Sequence, residues 1–413
     1  QRAPRGYSHL VAGPTGRQVD KYMVIAFGRL FLYNWSIDEA YGDLRRSGVR
    51  PGYQPAQRGS NQFAVSPRRS ASRAAILAID PHLAWFGPSR FWEFRIHAGA
   101  LHGSGVTLAG FPYIGLGHNA NLAWAMTTGG PDTADVYALT VKEGDNRQFL
   151  FDGKWLTLRS RTVTLKVKGA ASQRHTLWFA PHGPIIAWQE GKAYAAAMAY
   201  GDTVNISGAW FALNYGHDYR AAVEGMESLT VFPQNVMVAD TGGNIYYQRT
   251  GRVPVRPNGF DWSRAVDGST SASAWLGFHP ASDHLQVLNP PQGYMQNCNI
   301  PPDAMIPDSP FSPADFPDYL YSGPGYGPER AGWINQRGAR GIQLLQANDS
   351  VTAQDAMSII NDIHPYGMER WIGTLKLADS RFADQFKSSE RYANGIKELL
   401  NWDGGLHRDS SAA

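Results

Sequence analysis

The sequence predicts an α+β fold, and three observations carry that prediction. Asn61 to Val65, Phe91 to Ala98, Leu122 to Thr127 and Thr162 to Lys168 have strand composition or period-two alternation. Asp152-Gly153 stands between the apolar runs Gln148-Phe-Leu-Phe and Trp155-Leu-Thr-Leu, the mark of a two-residue hairpin turn. Toward the end the period changes, and Ala339 to Ala347, Thr352 to Ile363 and Ser388 to Leu400 space apolar residues at i, i+3 and i+4. Strands bracketed by helices give the α+β pattern.

In chain order, Val19 to Tyr33 reads as helix or strand. Ser36 with Glu39 spells a capping box and predicts a short helix over Ile37 to Arg46. Arg46 to Arg58 carries two prolines and no apolar period, so it reads as an exposed segment. At Gly59-Ser60 the texture changes to a strand, followed by helix or loop (Ser66 to Arg73), strand (Ala75 to Ile79) and a turn at Asp80-Pro81-His82. Val236 to Val238 and Ile245 to Gln248 flank Asp-Thr-Gly-Gly-Asn as a second hairpin, and Val255 to Tyr326 is loop-rich.

The 413 residues are 43% hydrophobic and 18% charged, with a formal net charge of +3. That balance suits a sizeable core and leaves no run of like charge for nucleic acid. Cys298 is the only cysteine, which excludes an internal disulfide and a cysteine-based zinc site. No stretch approaches the 18 apolar residues of a membrane span. Gly115-Leu-Gly117-His-Asn-Ala120 fits the dinucleotide fingerprint only formally, because Asn121 to Thr127 reads as a strand where that motif opens a helix. His97/His102 and His279/His284 lack the third ligand that a metal site needs. Serine-elbow, zincin and P-loop patterns are missing from the sequence.

The Gly59-Ser60 junction offers a different chemistry. If that bond were cut, Ser60 would carry a hydroxyl and a free α-amine on one residue. An α-amine titrates near ~7.7–8.0 and can act as the base for its own hydroxyl. Gly-Ser alone is a common loop dipeptide, so the surroundings decide.

They come in order: Gly59-Ser60-Asn61, Asp80-Pro81-His82-Leu83, Gly110 to Asn119 with Leu122-Ala-Trp124-Ala-Met-Thr127-Thr128, then Gln234-Asn235 with Asp240 and Gly243-Asn244-Ile245. This series resembles the penicillin acylase family of N-terminal-nucleophile hydrolases. Asp80-Pro-His-Leu83 with Arg90-Phe-Trp-Glu-Phe looks closer to its acyl-homoserine-lactone and cyclic-lipopeptide acylases. The likeness runs from about Gly59 through Asn299 and returns around Trp402-Asp403-Gly404 and Asp409-Ser410.

The resemblance implies a four-layer αββα fold and a self-processing amidohydrolase, split into the end of an α-chain region with its spacer (1–59) and a partial β-chain nucleophile domain (60–413). It makes Gly59-Ser60 the autocleavage bond, Ser60 the nucleophile and His82 the residue that orients the amine. Thr128 would give a backbone N–H to the oxyanion, and Asn235 a side-chain N–H. Leu83 would line an acyl pocket or simply the core, and Arg252 would orient Asn235 or substrate, or form a surface ion pair. Asp132 and Asp135 would hold a structural calcium or cap a turn. No cofactor enters the chemistry. The substrate would be a small N-acyl amide such as an acyl-homoserine lactone or a β-lactam, and the location periplasmic or secreted. A rival of another class is a non-catalytic secreted binding module for an apolar or glycan ligand.

Overall fold

One long helix, α1 (Lys21–Arg46), enters the fold, followed by β1 (Gly59–Val65) and β2 (Ile76–His82). A meander comes next: β3 (Phe91–Ala98), β4 (Leu101–Leu108), β5 (Leu116–His118) and β6 (Leu122–Thr128). An antiparallel run follows, with β7 (Ala134–Lys142), β8 (Asp145–Phe151), β9 (Lys154–Thr157), β10 (Arg159–Leu165), β11 (Gln173–Ala180), β12 (Gly183–Gln189) and β13 (Lys192–Met198). Helices α2 (Gly208–Tyr215) and α3 (Tyr219–Met226) lead to β14 (Gln234–Asp240) and β15 (Ile245–Thr250). After β16 (Val266–Asp267), β17 (Gln286–Leu288) and β18 (Tyr294–Asn297) the chain is helical: α4 (Asp318–Tyr321), α5 (Gln336–Gln346), α6 (Ala353–Ile360), α7 (Met368–Phe382) and α8 (Glu390–Asn401). This computed structural model describes residues 21–54, 58–203, 205, 207–323, 326–386 and 389–410.

Two sheets form the centre. One has the order β18-β1-β2 and the other β17-β15-β14-β6-β5-β4-β3. They pack face to face through β1, β2, β6 and β14, with Phe63, Val65, Met237 and Tyr247 in a shared apolar cluster. Helices α2 and α3 cover the outer face of the larger sheet, where Trp210, Leu213 and Met226 meet Trp124 and Val236. Helices α5 and α6 cover the smaller sheet through Leu345 and Ala356. The result is an αββα stack. A third, eight-stranded sheet built on β7 and β13 receives α1, whose Ala40 and Leu44 pack on Ala134, Val136 and Ala196.

Two elements differ from the sequence expectation, and a third that was left open is resolved. The capping box at Ser36 and Glu39 starts no helix, because α1 already runs through it. Both side chains turn to Thr133 instead, Ser36 Oγ lying 2.8 Å from Thr133 Oγ1 and Glu39 Oε2 accepting from Thr133 N at 2.9 Å. Asp80-Pro81-His82 is no turn but the end of β2, and Pro81 is tolerated there because β2 is an edge strand. Helix or loop over Ser66 to Arg73 resolves to a single 3₁₀ turn, Pro67–Arg69. The Asp152-Gly153 hairpin does form, with both residues at positive φ (46° and 74°), as a right-twisted two-residue turn requires. Among the described residues no helix is long and apolar enough to cross a membrane.

His182, at the β11–β12 turn, packs its ring 4.5 Å from that of Tyr137 and 5.6 Å from that of Phe151. Burial pushes its pKa down to about 4. Between that value and the ordinary ~6.5 the unfolded chain binds the extra proton, so this residue's contribution to stability rises with pH across the window. His182→Phe is therefore expected to flatten the rise in urea-denaturation stability between about pH 4 and 6.5, by roughly 2 kcal/mol.

Candidate active site

Ser60 sits near the start of β1, the middle strand of the small sheet, and is 5% exposed. Its ladder partner on β2 is Pro81, and Gly59 pairs with His82. On the other side β18 stops at Asn297, so the ladder cannot continue. Asn299 takes over: its backbone curls to φ +63°, a conformation Asn tolerates, and its Oδ1 accepts from Ser60 N at 2.8 Å.

The same amide continues into the large sheet, with Asn299 Nδ2 donating to the Thr128 carbonyl at 2.7 Å. Asn235, on β14, points its Nδ2 at that carbonyl from 3.3 Å. Tyr247 sets the orientation, since its hydroxyl donates to Asn235 Oδ1 at 2.7 Å. Burial raises the Tyr247 pKa well above its ordinary value, so it remains a donor. Below the turn after Thr128, the fully buried Arg249 donates to the Gly129 carbonyl at 2.7 Å and to the carbonyls of Leu320 and Ser322 at 2.9 Å each, and also bonds that of Tyr321. Gly129 (φ +121°) is fixed there, because a Cβ would stand 3.0 Å from Asn235 Nδ2.

His82 faces Gly59, where a Cβ would stand 3.1 Å from its Nδ1. Its Nε2 lies 2.8 Å from Asp80 Oδ2 and 3.3 Å from Asn61 Nδ2. The hydrogen bond from His82, ahead of opposing burial, holds the Asp80 carboxyl below its usual range.

Ser60 and Thr128 stand at the polar end of a cavity with about 780 Å³ of empty space, its mouth included. Phe31, Leu32 and Trp35 of α1 form one wall, Trp210 and Phe232 another, and Leu83 stands on the lining too. Trp35 stacks on Phe232 at 4.3 Å and donates its indole N–H to Thr128 Oγ1 at 2.7 Å. The Thr128 side chain therefore anchors the α1 wall.

Ser60, His82, Thr128, Asn235 and Leu83 thus converge, and Arg252 does not join them. Its guanidinium bonds the Ala199 carbonyl at 2.6 Å and Thr203 Oγ1 at 3.0 Å, pairs with Asp202 and lies 3.9 Å from the ring centre of Phe278. The arginine opposite Asn235 in the β14–β15 ladder is Arg249. A cation in a strand whose every residue is buried marks it in the structure, but the neighbouring Gln248 and Thr250 left it without a sequence signal. Asn299 was legible only as the end of a motif, and Arg337 and Tyr247 gave no signal.

Asp132 and Asp135 lie apart from the serine in a buried charge cluster with Glu39 and Asp43. Arg256 spans them, its Nε 2.8 Å from Asp135 Oδ2 and its terminal nitrogen 3.2 Å from Asp132 Oδ2. Trp275 Nε1 also donates to Asp135 Oδ2, at 2.6 Å. Burial raises all four carboxyls, Asp135 to about 6, and the Asp132 charge adds to the rise in the other three. Arg256 opposes these shifts. Among the described residues no three acidic, histidine or cysteine side chains converge on a point that could hold a metal ion. With the guanidinium seated between the two aspartates, the residues as they stand do not fit a calcium ion there.

Comparison with known proteins places this geometry in context. The penicillin amidase family profile matches residues 14–413. Penicillin G acylase of Escherichia coli is 27% identical over 354 residues, covering 84% of this chain and 39% of that protein. Acyl-homoserine lactone acylase PvdQ of Pseudomonas putida is 26% identical over 389 residues, covering 86% and 48%. The chain therefore spans between about two fifths and one half of the length of these relatives. A solved structure of thermostable penicillin G acylase from Alcaligenes faecalis is similar at a TM-score of 0.66 with 22% identity, covering 84% of this chain and 60% of its own. The αββα stack is accordingly the N-terminal-nucleophile hydrolase fold.

Arg256→Met would leave Asp132 and Asp135 buried without their cation. The expected cost is about 3–5 kcal/mol in urea denaturation at pH 7. The loss should shrink below about pH 6, where Asp135 takes up a proton.

Proposed function

Because the chain belongs to the penicillin amidase family, we propose that it supplies the catalytic core of a self-processing acylase whose nucleophile is Ser60. The observation that carries this reading is the placement of Ser60 at the polar end of an apolar cavity, beside Thr128 and one amide away from Asn235. In processing, Ser60 Oγ attacks the Gly59 carbonyl, the acyl group moves from nitrogen to oxygen, and water hydrolyses the ester. Gly59 then leaves as a carboxylate and Ser60 keeps a free amine.

In turnover that amine takes the hydroxyl proton as Oγ adds to the carbonyl carbon of an N-acyl amide. Negative charge grows on the carbonyl oxygen, where the Thr128 N–H and Asn235 Nδ2 are the donors to meet it. Collapse expels the leaving amine with the proton, and water releases the acyl group from Ser60. The cavity suits an apolar acyl chain, which accords with an acyl-homoserine lactone or a β-lactam carrying an apolar side chain. A periplasmic or secreted setting goes with the same reading.

Intact-mass analysis of the full-length gene product should find two chains, the second beginning at Ser60, and Ser60→Ala should leave one. Wild-type protein that is fully active with the 59–60 bond intact would overturn the proposal. Asn235→Ala should lower kcat by ~10²–10³. Thr128→Ala should keep most of kcat and raise KM, since it removes the hydroxyl that holds Trp35 and leaves the backbone donor in place.

A further inference from the structure

Phe31, Trp35, Leu108, Met126 and Phe232 give the cavity beside Ser60 an apolar wall, yet two polar side chains on it have hydrogen-bonding capacity to spare. Gln234, the first residue of β14, is 4% exposed. Its Nε2 donates to the carbonyl of its neighbour Pro233 at 2.6 Å, which fixes the amide, since the flipped form would set two oxygens against each other. Among the described residues nothing donates to Gln234 Oε1, and that oxygen is not sealed within the core, so on this wall it is open to the cavity.

Thr128 is the partner of Gln234 across the β6–β14 ladder, and both stand on the cavity wall. Thr128 Oγ1 accepts the Trp35 indole N–H at 2.7 Å, and among the described residues nothing accepts the proton of its hydroxyl. Side chains opposite each other in an antiparallel ladder stand with Cβ atoms about 4.5–5.5 Å apart. An unused acceptor and an unused donor are therefore neighbours at the polar end of the cavity, next to Ser60.

We propose that Gln234 is a specificity residue: with the Thr128 hydroxyl it binds a hydroxyl group carried on the acyl chain close to the scissile carbonyl, so the preferred substrate class is a 3-hydroxyacyl amide. This rests on the reading of Ser60 as the nucleophile of an acylase. A hydroxyl matches both partners, because it donates to Gln234 Oε1 while accepting from the Thr128 O–H. A keto group only accepts and leaves the glutamine oxygen bare, and a methylene leaves both groups bare. An amine would enter as an ammonium, at the cost of burying a charge. An unpaired buried acceptor costs more than a made bond gains, so the site discriminates chiefly by disfavouring the plain chain. The position along the chain follows from the ladder. Thr128 ends β6 beside the serine and Gln234 lies directly across from it, so the pair meets the carbons next to the carbonyl and not the far end of the chain.

Other polar groups nearby do not compete for that hydroxyl. Thr107, also on the wall, gives its proton to the Tyr113 carbonyl at 2.6 Å. His82 lies 2.8 Å from Asp80, and Arg337 donates to the Ser60 carbonyl at 2.8 Å and to Asn299 Oδ1 at 2.9 Å. Neither that pair nor the arginine stands on the lining.

The test compares kcat/KM of cleaved full-length enzyme on the 4-nitroanilides of decanoic, 3-hydroxydecanoic, 3-oxodecanoic and 10-hydroxydecanoic acids. Wild type should prefer the better enantiomer of the 3-hydroxy chain over the plain chain by about tenfold or more, and should gain nothing from the 3-oxo or the 10-hydroxy group. Gln234→Leu should bring the ratio of 3-hydroxy to plain chain down to about one or below. A wild type that takes the plain or the 3-oxo chain as well as the 3-hydroxy chain overturns the inference, as does a preference that survives in Gln234→Leu. If Gln234→Leu fails to mature, the wild-type ranking of the substrates decides alone. Cleaved wild type that is inactive on every one of them removes the functional reading itself, whereas active wild type without the ranking removes only this inference.

Discussion

One amide, that of Asn299, joins the two central sheets at the point where their ladders run out. It accepts from the first residues of the small sheet and donates to the last carbonyl of β6 in the large one. Because β18 ends two residues earlier, no ladder bond could have held the Ser60 nitrogen on that side. A side-chain amide replaces the missing strand residue, and its left-handed backbone is the local strain that lets it reach back. That single placement ties the serine nitrogen to the Thr128 carbonyl, the same carbonyl that the Asn235 amide approaches from β14.

Two buried arginines then stiffen the surroundings in different ways. Arg256 lies among carboxylates, two of them in ion-pair contact with it, so its charge is balanced and the cost of breaking the pairing is high. Arg249 instead meets the Gly129 carbonyl, the carbonyls of Leu320, Tyr321 and Ser322 at the C-terminal end of α4, and the ring of Tyr326 at 5.9 Å. Its positive charge is spread over four dipoles with no anion among them. Bonded to the Gly129 carbonyl and opposite Asn235 in the β14–β15 ladder, it sets a fixed positive field next to the end of β6. The same residue type thus clamps a frame in one place and biases a turn in another.

Much of this was legible in the sequence where local rules act alone. Strand alternation located β1, β3 and β6, and the Asp152-Gly153 pair located a hairpin, because each depends only on neighbouring residues. The ordered blocks around Ser60, His82, Thr128 and Asn235 pointed to residues that the fold does bring together. Legibility failed where a side chain answered to a distant partner. Ser36 and Glu39 looked like a capping box and instead serve Thr133. Pro81 looked like a turn former and sits at a sheet edge. Arg252 occupied a suggestive position after the second hairpin, but the next arginine on the productive face lies three residues earlier, and only the cross-strand register reveals it. Arg337 is out of reach of any local rule, since its partners are 277 and 38 residues away.

That separation also explains why the apolar cavity beside Ser60 could not be read from the residues after the 59–60 junction alone. Its walls come from α1, which precedes that junction, and from residues after it that are far apart in sequence. Trp35 is the link: stacked on Phe232 and bonded to the Thr128 hydroxyl, it fixes an upstream helix to the end of β6, which lines the cavity together with Ser60. Cutting the chain between Gly59 and Ser60 would therefore not release α1. The helix is held by apolar packing on β7 and β13 and by this indole, so the wall of the cavity outlasts the peptide bond that joined it to the serine.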